Sequence, residues 1–333
     1  MRLTDPVCIK GFKLPNRLVA SPVASATASV EGGPTEATFR RVEAILSSRA
    51  GLVVMEHHAV HPWGRVRRSQ MMLHSDQMVP LHRPLAEMIR EAGSVPLVQL
   101  NHGGSAIAEA DLMDLPDFRC VAPSAVPHPA KDGRVVPREM TPEEISELPS
   151  LFAAAFERGH QAGYCGVQVH ACHGYLLGQF LSPITNRRTD RYGGDLRNRA
   201  RVLLEVVEAL AERAGDSILA VRLGVADFFP GDDPRGLTPE ESCWVARELA
   251  ALGVDLIGVS GNLCGPDAPQ GFDPYSKLIM EAVGDRCLVE CTGMVRSAER
   301  AQTMLSSRVC HLVGVARPLL SDPSSLAGWV VGS

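Results

Sequence analysis

Short stretches rich in Val, Leu and Ile recur along the chain at Leu18–Pro22, Gly51–Met55, Pro96–Leu100, Gly166–Val169, Ile218–Leu223, Asp255–Val259, Cys287–Glu290 and Cys310–Val313. Continuous rather than alternating apolar runs are the mark of parallel strands covered on both faces. Most of them are separated by stretches of helical periodicity. Eight strands alternating with helices predict an α/β fold of the (β/α)₈ (TIM) barrel class. Three helix starts stand out. Thr35 before Glu36 predicts a helix over 35–50, while Thr141-Pro142-Glu143-Glu144 and Thr238-Pro239-Glu240-Glu241 each join a Thr cap to Pro at the first helical position and acids in the first turn. In the last of these helices the spacing of Trp244 and Leu249 turns both toward the core. Ahead of the first strand, two apolar pieces within Val7–Leu18, around Gly11 and Pro15, predict an N-terminal β-hairpin closing one end of the barrel. The connection from Leu100 to Thr141 is long and rich in Pro and Asp. It reads as an excursion after strand 3 that overhangs the face carrying His170, with Asp132-Gly133 as a hairpin turn inside it.

Bulk properties narrow the function classes. The 333 residues are 45% hydrophobic, enough for one large core, and no low-complexity or linker segment divides them, so residues 1–333 are expected to form a single domain. A net charge of -5 with scattered Lys and Arg gives no footprint for nucleic acid or an anionic membrane surface. Nine cysteines, mostly in apolar runs, suit free thiols in a reducing compartment. The N-terminus Met-Arg-Leu-Thr-Asp-Pro has no apolar signal region and no run reaches the roughly twenty residues of a membrane helix, so a soluble cytoplasmic protein is expected. Association into a homo-oligomer stays open.

Polar chemistry concentrates between Tyr164 and Arg199. The strand Gly166–Val169 stops where His170, His173 and Tyr175 begin, the place where a parallel barrel gathers its active-site side chains. There is no Gly-x-Gly-x-x-Gly fingerprint, no Gly-Lys-Ser/Thr phosphate loop and no Cys-x-x-Cys pair, which argues against a dinucleotide domain, a nucleotide-triphosphate site, a structural zinc or an iron–sulfur cluster. Metal ligation by these histidines, or by His57, His58 and His61, is the rival reading. It is disfavoured because the first strand ends in Ser21-Pro22-Val23 rather than His-x-His and no carboxylate cluster compensates.

Several motifs then fall in order: Asn16-Arg17-Leu18-Val19 with Ser21-Pro22, Gln99-Leu100-Asn101-His102-Gly103-Gly104, His170-Ala171-Cys172-His173-Gly174-Tyr175, Leu181-Ser182-Pro183 leading to Asn186-Arg187-Arg188-Thr189-Asp190-Arg191-Tyr192-Gly193-Gly194, Val221-Arg222, and Gly314 through Arg317-Pro318. Over nearly its whole length the chain resembles the Old Yellow Enzyme family of FMN-dependent oxidoreductases, including the barrel part of 2,4-dienoyl-CoA reductases. The resemblance implies an FMN-dependent ene-reductase that takes hydride from NADPH or NADH and reduces electron-poor C=C bonds of small molecules. It implies Arg222 beside the flavin N1–C2 edge, Gln99 at the pyrimidine, and Ser21, Pro22, Val23 and Ala24 along the ring. Gly293, Gly314, Ala316 and Arg317, at the ends of the last two strands, would hold the phosphate, in line with the general tendency of barrels to bind phosphate there. His170 and His173 would bind the activating oxygen of the alkene, His170 also touching the cofactor, and Tyr175 or water would give the proton. No metal is implied.

The chain also departs from the family. Ala24 stands where a Thr or Cys usually bonds the flavin C4=O region, Ala26 where an aromatic is expected, and His57 where Ala or Gly is common. His57 is therefore a candidate to supply the hydrogen bond that Ala24 cannot make. Because the chain stops at Ser333 without a cluster or second flavin domain, electrons are expected directly from NAD(P)H. Two alternatives remain: the same site run oxidatively as a dehydrogenase or amine demethylase, and a barrel that binds flavin or another ligand without turnover.

Overall fold

The computed structural model describes residues 1–331 except 109, 116–117, 131–134, 230–235, 266–267 and 270. Two short strands, β1 (Val7–Ile9) and β2 (Phe12–Leu14), pair antiparallel around Lys10 and Gly11, which both have positive φ (47° and 88°) as a tight two-residue turn of this hand requires. Ile9 and Leu14 pack on Val19, Leu52, Leu97, Ile218, Leu256 and Leu312, so the hairpin plugs the N-terminal end of the barrel as its sequence predicts.

The barrel strands are β3 (Leu18–Ala20), β4 (Leu52–Ala59) and β5 (Val95–Asn101), then, after the excursion strands β6 (Val121–Ala122) and β7 (Arg138–Glu139), β8 (Gly166–Ala171), β9 (Ile218–Gly224), β10 (Leu256–Ser260), β11 (Leu288–Thr292) and β12 (Leu312–Val315). They close in the order β3-β4-β5-β8-β9-β10-β11-β12 and back to β3, every pair parallel. All eight predicted strands are present, with no end shifted by more than four residues. The largest shift is in β4, which continues four residues past Met55 through Glu56 to Ala59.

Helices α1 (Glu36–Leu46), α2 (Val79–Glu91), α3 (Pro142–Gln161), α4 (Leu176–Leu181), α5 (Leu196–Ala214), α6 (Pro239–Ala251), α7 (Asp273–Val283) and α8 (Ala298–Ser306) surround it, with two short turns, α9 (Pro318–Ser321) and α10 (Ala327–Val330), at the C-terminal end. α1 is shorter than the expected 35–50, since Arg49, at a φ of 54°, turns the chain into β4. The Thr caps form as reciprocal boxes: Thr141 Oγ1 accepts from Glu144 N at 3.2 Å while Glu144 Oε2 accepts from Thr141 N at 2.9 Å. The same exchange joins Thr238 and Glu241. Leu249 is buried; Trp244 is half-buried against the core, with Arg197 stacked 5.7 Å from its ring.

Asp132-Gly133, expected to turn a hairpin, lie outside the described residues. The strands flanking the excursion, β6 and β7, pair parallel, not as the arms of a hairpin. Arg188 clips both together, its Nη1 donating to Pro123 O at 2.9 Å and Met140 O at 2.7 Å. Removing one cap hydroxyl by Thr141→Ala or Thr238→Ala is expected to cost about 1 kcal/mol each, read as a lower urea midpoint at unchanged slope.

Candidate active site

Along each strand alternate residues face inward, so the apolar lower layer of Val19, Leu52, Val54, Leu97, Ala220, Leu256 and Leu312 fixes what lies above it. One step up, the same faces present Ser21, Gln99, Gln168, His170, Arg222, Glu290 and Thr292, all buried. β4 breaks this pattern. Its inward set, Leu52 and Val54, continues to Glu56, but the register slips between Met55, opposite Val98, and His57, opposite Gln99. This bulge at Glu56 reverses the parity and turns His57 into the barrel mouth, while His58 turns out onto His82, ring centroids 4.8 Å apart. His61 stacks on Trp63 at 4.9 Å, so His57, His58 and His61 point three ways and share no metal position.

Glu56 itself accepts from Ser25 N at 2.8 Å and from the Ser25 hydroxyl, pinning the loop that leaves β3. In that loop Pro22 and Val23 are half-buried and Ala24 is exposed, its methyl offering no hydrogen bond. Ser21 directs its hydroxyl inward to Glu290 Oε1 at 2.7 Å.

His170, His173, Tyr175 and His57 form one cluster. Ring centroids lie 5.1 Å apart for His170–His173, 4.6 Å for His170–Tyr175, 5.4 Å for His57–Tyr175 and 6.2 Å for His57–His170. His173 adopts φ 57° beside Gly174 at 67°, a left-handed corner that lets the chain leave β8 with both imidazoles on the cavity side. Ser260 Oγ, 2.7 Å from His173 Nε2, steadies it. Burial, then the positive charges around them, hold the His170 and His173 imidazoles well below 6.5 and hence neutral, and burial lowers His57 to about 4. Burial likewise pushes the Tyr175 phenol up to about 12, so it stays protonated. Cys172 also lies here, with ligand atoms of His170, Cys172 and His173 within 4.8 Å of one another, but burial raises its thiol to about 12.

Arg222 sits beside His170 in register and donates Nη2 to Thr292 Oγ1 at 3.3 Å. Next to it is Glu290, which sequence reasoning missed. Its buried carboxylate lies between two glycines: a methyl on Gly258 would approach Oε2 to 3.1 Å, and one on Gly314 would meet Oε1 at 2.2 Å. Burial raises the Glu290 carboxyl, while Arg222 and the Ser21 hydroxyl act the other way. A period-two reading of Leu288-Val289-Glu290-Cys291-Thr292 would have turned Glu290 inward between Leu288 and Thr292. Gln168, Ser260 and Gln70 escape a sequence reading for a different reason, since each acts only through a partner distant in sequence.

The residues expected on the phosphate side converge too. Gly293, Gly314, Ala316 and Arg317 line one cavity of about 400 Å³ with Arg296 and Trp329.

These donors fit FMN. Gln168 Nε2 and His170 Nδ1 are buried without a partner among the described residues, and Gln99 gives its Nε2 to Gln168 Oε1 at 2.8 Å, leaving an acceptor oxygen for an imide N–H. An inward guanidinium and a glycine-lined cavity with two arginines match an electron-rich ring edge and a phosphate. Fold and site together define a flavin-dependent barrel oxidoreductase. The chain belongs to the NADH:flavin oxidoreductase / NADH oxidase family, whose model matches residues 2–327, and is an FMN-dependent NAD(P)H oxidoreductase. It is 32% identical over 324 residues to an NADPH dehydrogenase of Geobacillus sp. (strain WCH70), covering 96% of this chain and 91% of that protein. With an NADH:flavin oxidoreductase of Gibberella zeae it shares 32% over 337 residues, 92% and 80% of the two chains. Among solved structures it is similar to an old yellow enzyme homologue from Zymomonas mobilis, with TM-score 0.81, 25% identity and 98% and 91% coverage. The barrel also matches a 2-naphthoyl-CoA reductase in complex with 2-naphthoyl-CoA at TM-score 0.89 and 24% identity, but 99% of this chain spans only 52% of that one, so this likeness speaks for the fold alone. No helix among the described residues is long and apolar enough to cross a membrane.

The buried neutral imidazoles make the fold acid-sensitive. Folded values of about 4 for His57 and His82 and about 3 for His102 lie below the unfolded 6.5, so unfolding takes up protons once the pH is under 6.5. Stability is full above that value and declines as pH falls toward 4, by up to about 1.4 kcal/mol per unit for each group. Urea titrations at pH 7.5 and 5 should show a clear loss at the lower pH. Equal midpoints would contradict neutral burial.

Proposed function

We propose that residues 1–333 act as one FMN-binding unit that reduces electron-poor C=C bonds of small molecules with electrons from NADPH or NADH, with His170, His173 and Tyr175 facing the substrate. The observation that carries this reading is the His170–His173–Tyr175 cluster standing beside Arg222 at one end of the barrel. When bound, FMN supplies reversible hydride chemistry between the nicotinamide and the alkene. Each neutral imidazole has one N–H to give. His170 and His173 hold the activating oxygen and favour the negative charge that grows on it as the alkene is reduced. Tyr175 remains a loaded acid at neutral pH and delivers its proton to the carbon next to that activating group. Arg222 places a fixed cation against the pyrimidine edge, and Gln99 orients it through its free oxygen. Gly293, Gly314, Ala316 and Arg317 receive the phosphate. Ser21, Pro22, Val23 and Ala24 follow the ring with backbone atoms, because Ser21 has committed its hydroxyl and Ala24 has none.

The purified protein should carry the flavin spectrum, bleach on anaerobic NADPH or NADH, and recolour with cyclic enones or maleimides. Absence of FMN, or bleaching by an amine but by neither nicotinamide, would defeat the reading. Tyr175→Phe is expected to slow the reoxidation by alkene about 10²- to 10⁴-fold while leaving reduction by NADPH near wild type, which stopped-flow separates. His170→Ala and His173→Ala should each weaken substituted-phenol binding to the oxidised enzyme, seen as loss of the long-wavelength charge-transfer band.

A further inference from the structure

Gln70 lies outside every motif named above, yet it is completely buried, and its side chain bonds two residues, Val66 and His57. Its Oε1 accepts from Val66 N at 2.7 Å. Its Nε2 reaches His57 twice, 2.7 Å from Nδ1 and 3.3 Å from the main-chain oxygen. The opposite orientation of the amide is excluded by two clashes, because NH₂ would face the Val66 N–H and the amide oxygen would face the His57 carbonyl. Gln70 therefore donates to Nδ1, and Asn101 Nδ2, 3.4 Å from the same nitrogen, points the same way. A nitrogen that accepts from an amide carries no proton. The proton of the neutral ring is on Nε2.

We propose that Gln70 is a positioning residue that locks His57 as the Nε2–H tautomer, so that this imidazole is a standing hydrogen-bond donor to the flavin, in place of the side chain missing at Ala24. The inference rests on the flavin reading above and adds to it the proton position and the residue that sets it. Two features of the strand make it work. The bulge at Glu56 turns His57 inward, and Ser25, bonded to Glu56, brings the Ala24 segment alongside. No hydrogen-bond partner for Nε2 occurs among the described residues, so its N–H is uncommitted. The charged or titratable groups around the ring are Arg67 from the loop after β4, His170 and His173 from the end of β8 and its loop, Tyr175 before α4, and His58 next to it in the chain, while the Glu56 carboxylate is committed to Ser25; the imidazoles among them are neutral and Arg67 is cationic, so the surroundings oppose a second proton on His57.

The test uses the FMN-loaded full chain. Gln70→Glu keeps the acceptor for Val66 and, once ionised at about pH 8, offers His57 only acceptor oxygens, so Nδ1 then takes a proton and the ring either flips tautomer or becomes imidazolium. ¹⁵N NMR of histidine-labelled protein should show one neutral Nε2–H signal that does not titrate above pH 6 and disappears in His57→Leu, or in His57→Asn if the first variant folds poorly. In Gln70→Glu the same signal should move to a ring protonated at Nδ1. Flavin midpoint potentials give the second readout. His57→Leu is expected to shift the oxidised-to-reduced ratio about tenfold toward oxidised, about 30 mV for a two-electron couple. Gln70→Glu should make the potential titrate with His57, and that effect should vanish in the His57→Leu/Gln70→Glu double variant. A wild-type signal at Nδ1–H, or a Gln70→Glu effect that persists without His57, overturns the proposal. Protein lacking FMN would instead defeat the flavin reading, and the NMR result would still decide the tautomer.

Discussion

A closed ring of eight parallel strands allows each strand only every second residue for the interior, and that rule decides what can reach the open end. The apolar lower layer sets the phase, and the polar upper layer follows from it without further instruction: Gln99 above Leu97, Arg222 above Ala220, Glu290 above Leu288, Ser21 above Val19. Breaking the phase once, at Glu56, is how the chain brings in an imidazole that the regular alternation would have turned toward the helices. The same residue then fastens the neighbouring loop through Ser25, so the irregularity in one strand also shapes the path of another.

Electrostatically the site separates permanent charge from neutral donors. Arg222 is a fixed cation and Glu290 a carboxylate buried beside it, where a Cβ at 314 would collide with its oxygen and one at 258 would crowd it. Burying a carboxylate is costly unless it is bonded, and the Ser21 hydroxyl supplies that bond. The imidazoles around this pair stay neutral because both burial and Arg222 oppose protonation. The arrangement gives donors whose strength does not vary across neutral pH, and it leaves the fold weaker in acid.

The fold is readable because strands buried on both faces write continuous apolar runs, and the Thr-Pro-Glu-Glu starts mark helices by capping chemistry alone. What the sequence does not reveal is anything set by a partner far away in the chain. Continuous runs hide the in–out parity of each strand, so Glu290 reads as one acid in an apolar segment, and β4 reads as ending at Met55 because nothing local announces a bulge. Gln70 becomes visible only when Val66 and His57 are seen on either side of its amide. The excursion differs from expectation for a related reason: Asp132-Gly133 suggests a hairpin from local turn chemistry, whereas β6 and β7 pair parallel, with the distant Arg188 bonded to the residue that follows each.

That guanidinium has an evolutionary consequence. By gripping Pro123 and Met140 it fixes both ends of the excursion, and His128 between them, its Nε2 3.0 Å from Gly174 O, ties the segment to the loop that carries His173 and Tyr175. A change between the anchors that removes His128 therefore reaches Gly174 and the two site residues on either side of it. The excursion and the His173–Tyr175 corner are thus bound to vary together, so an exchange between relatives keeps that corner in place only if the partner of Gly174 travels with it.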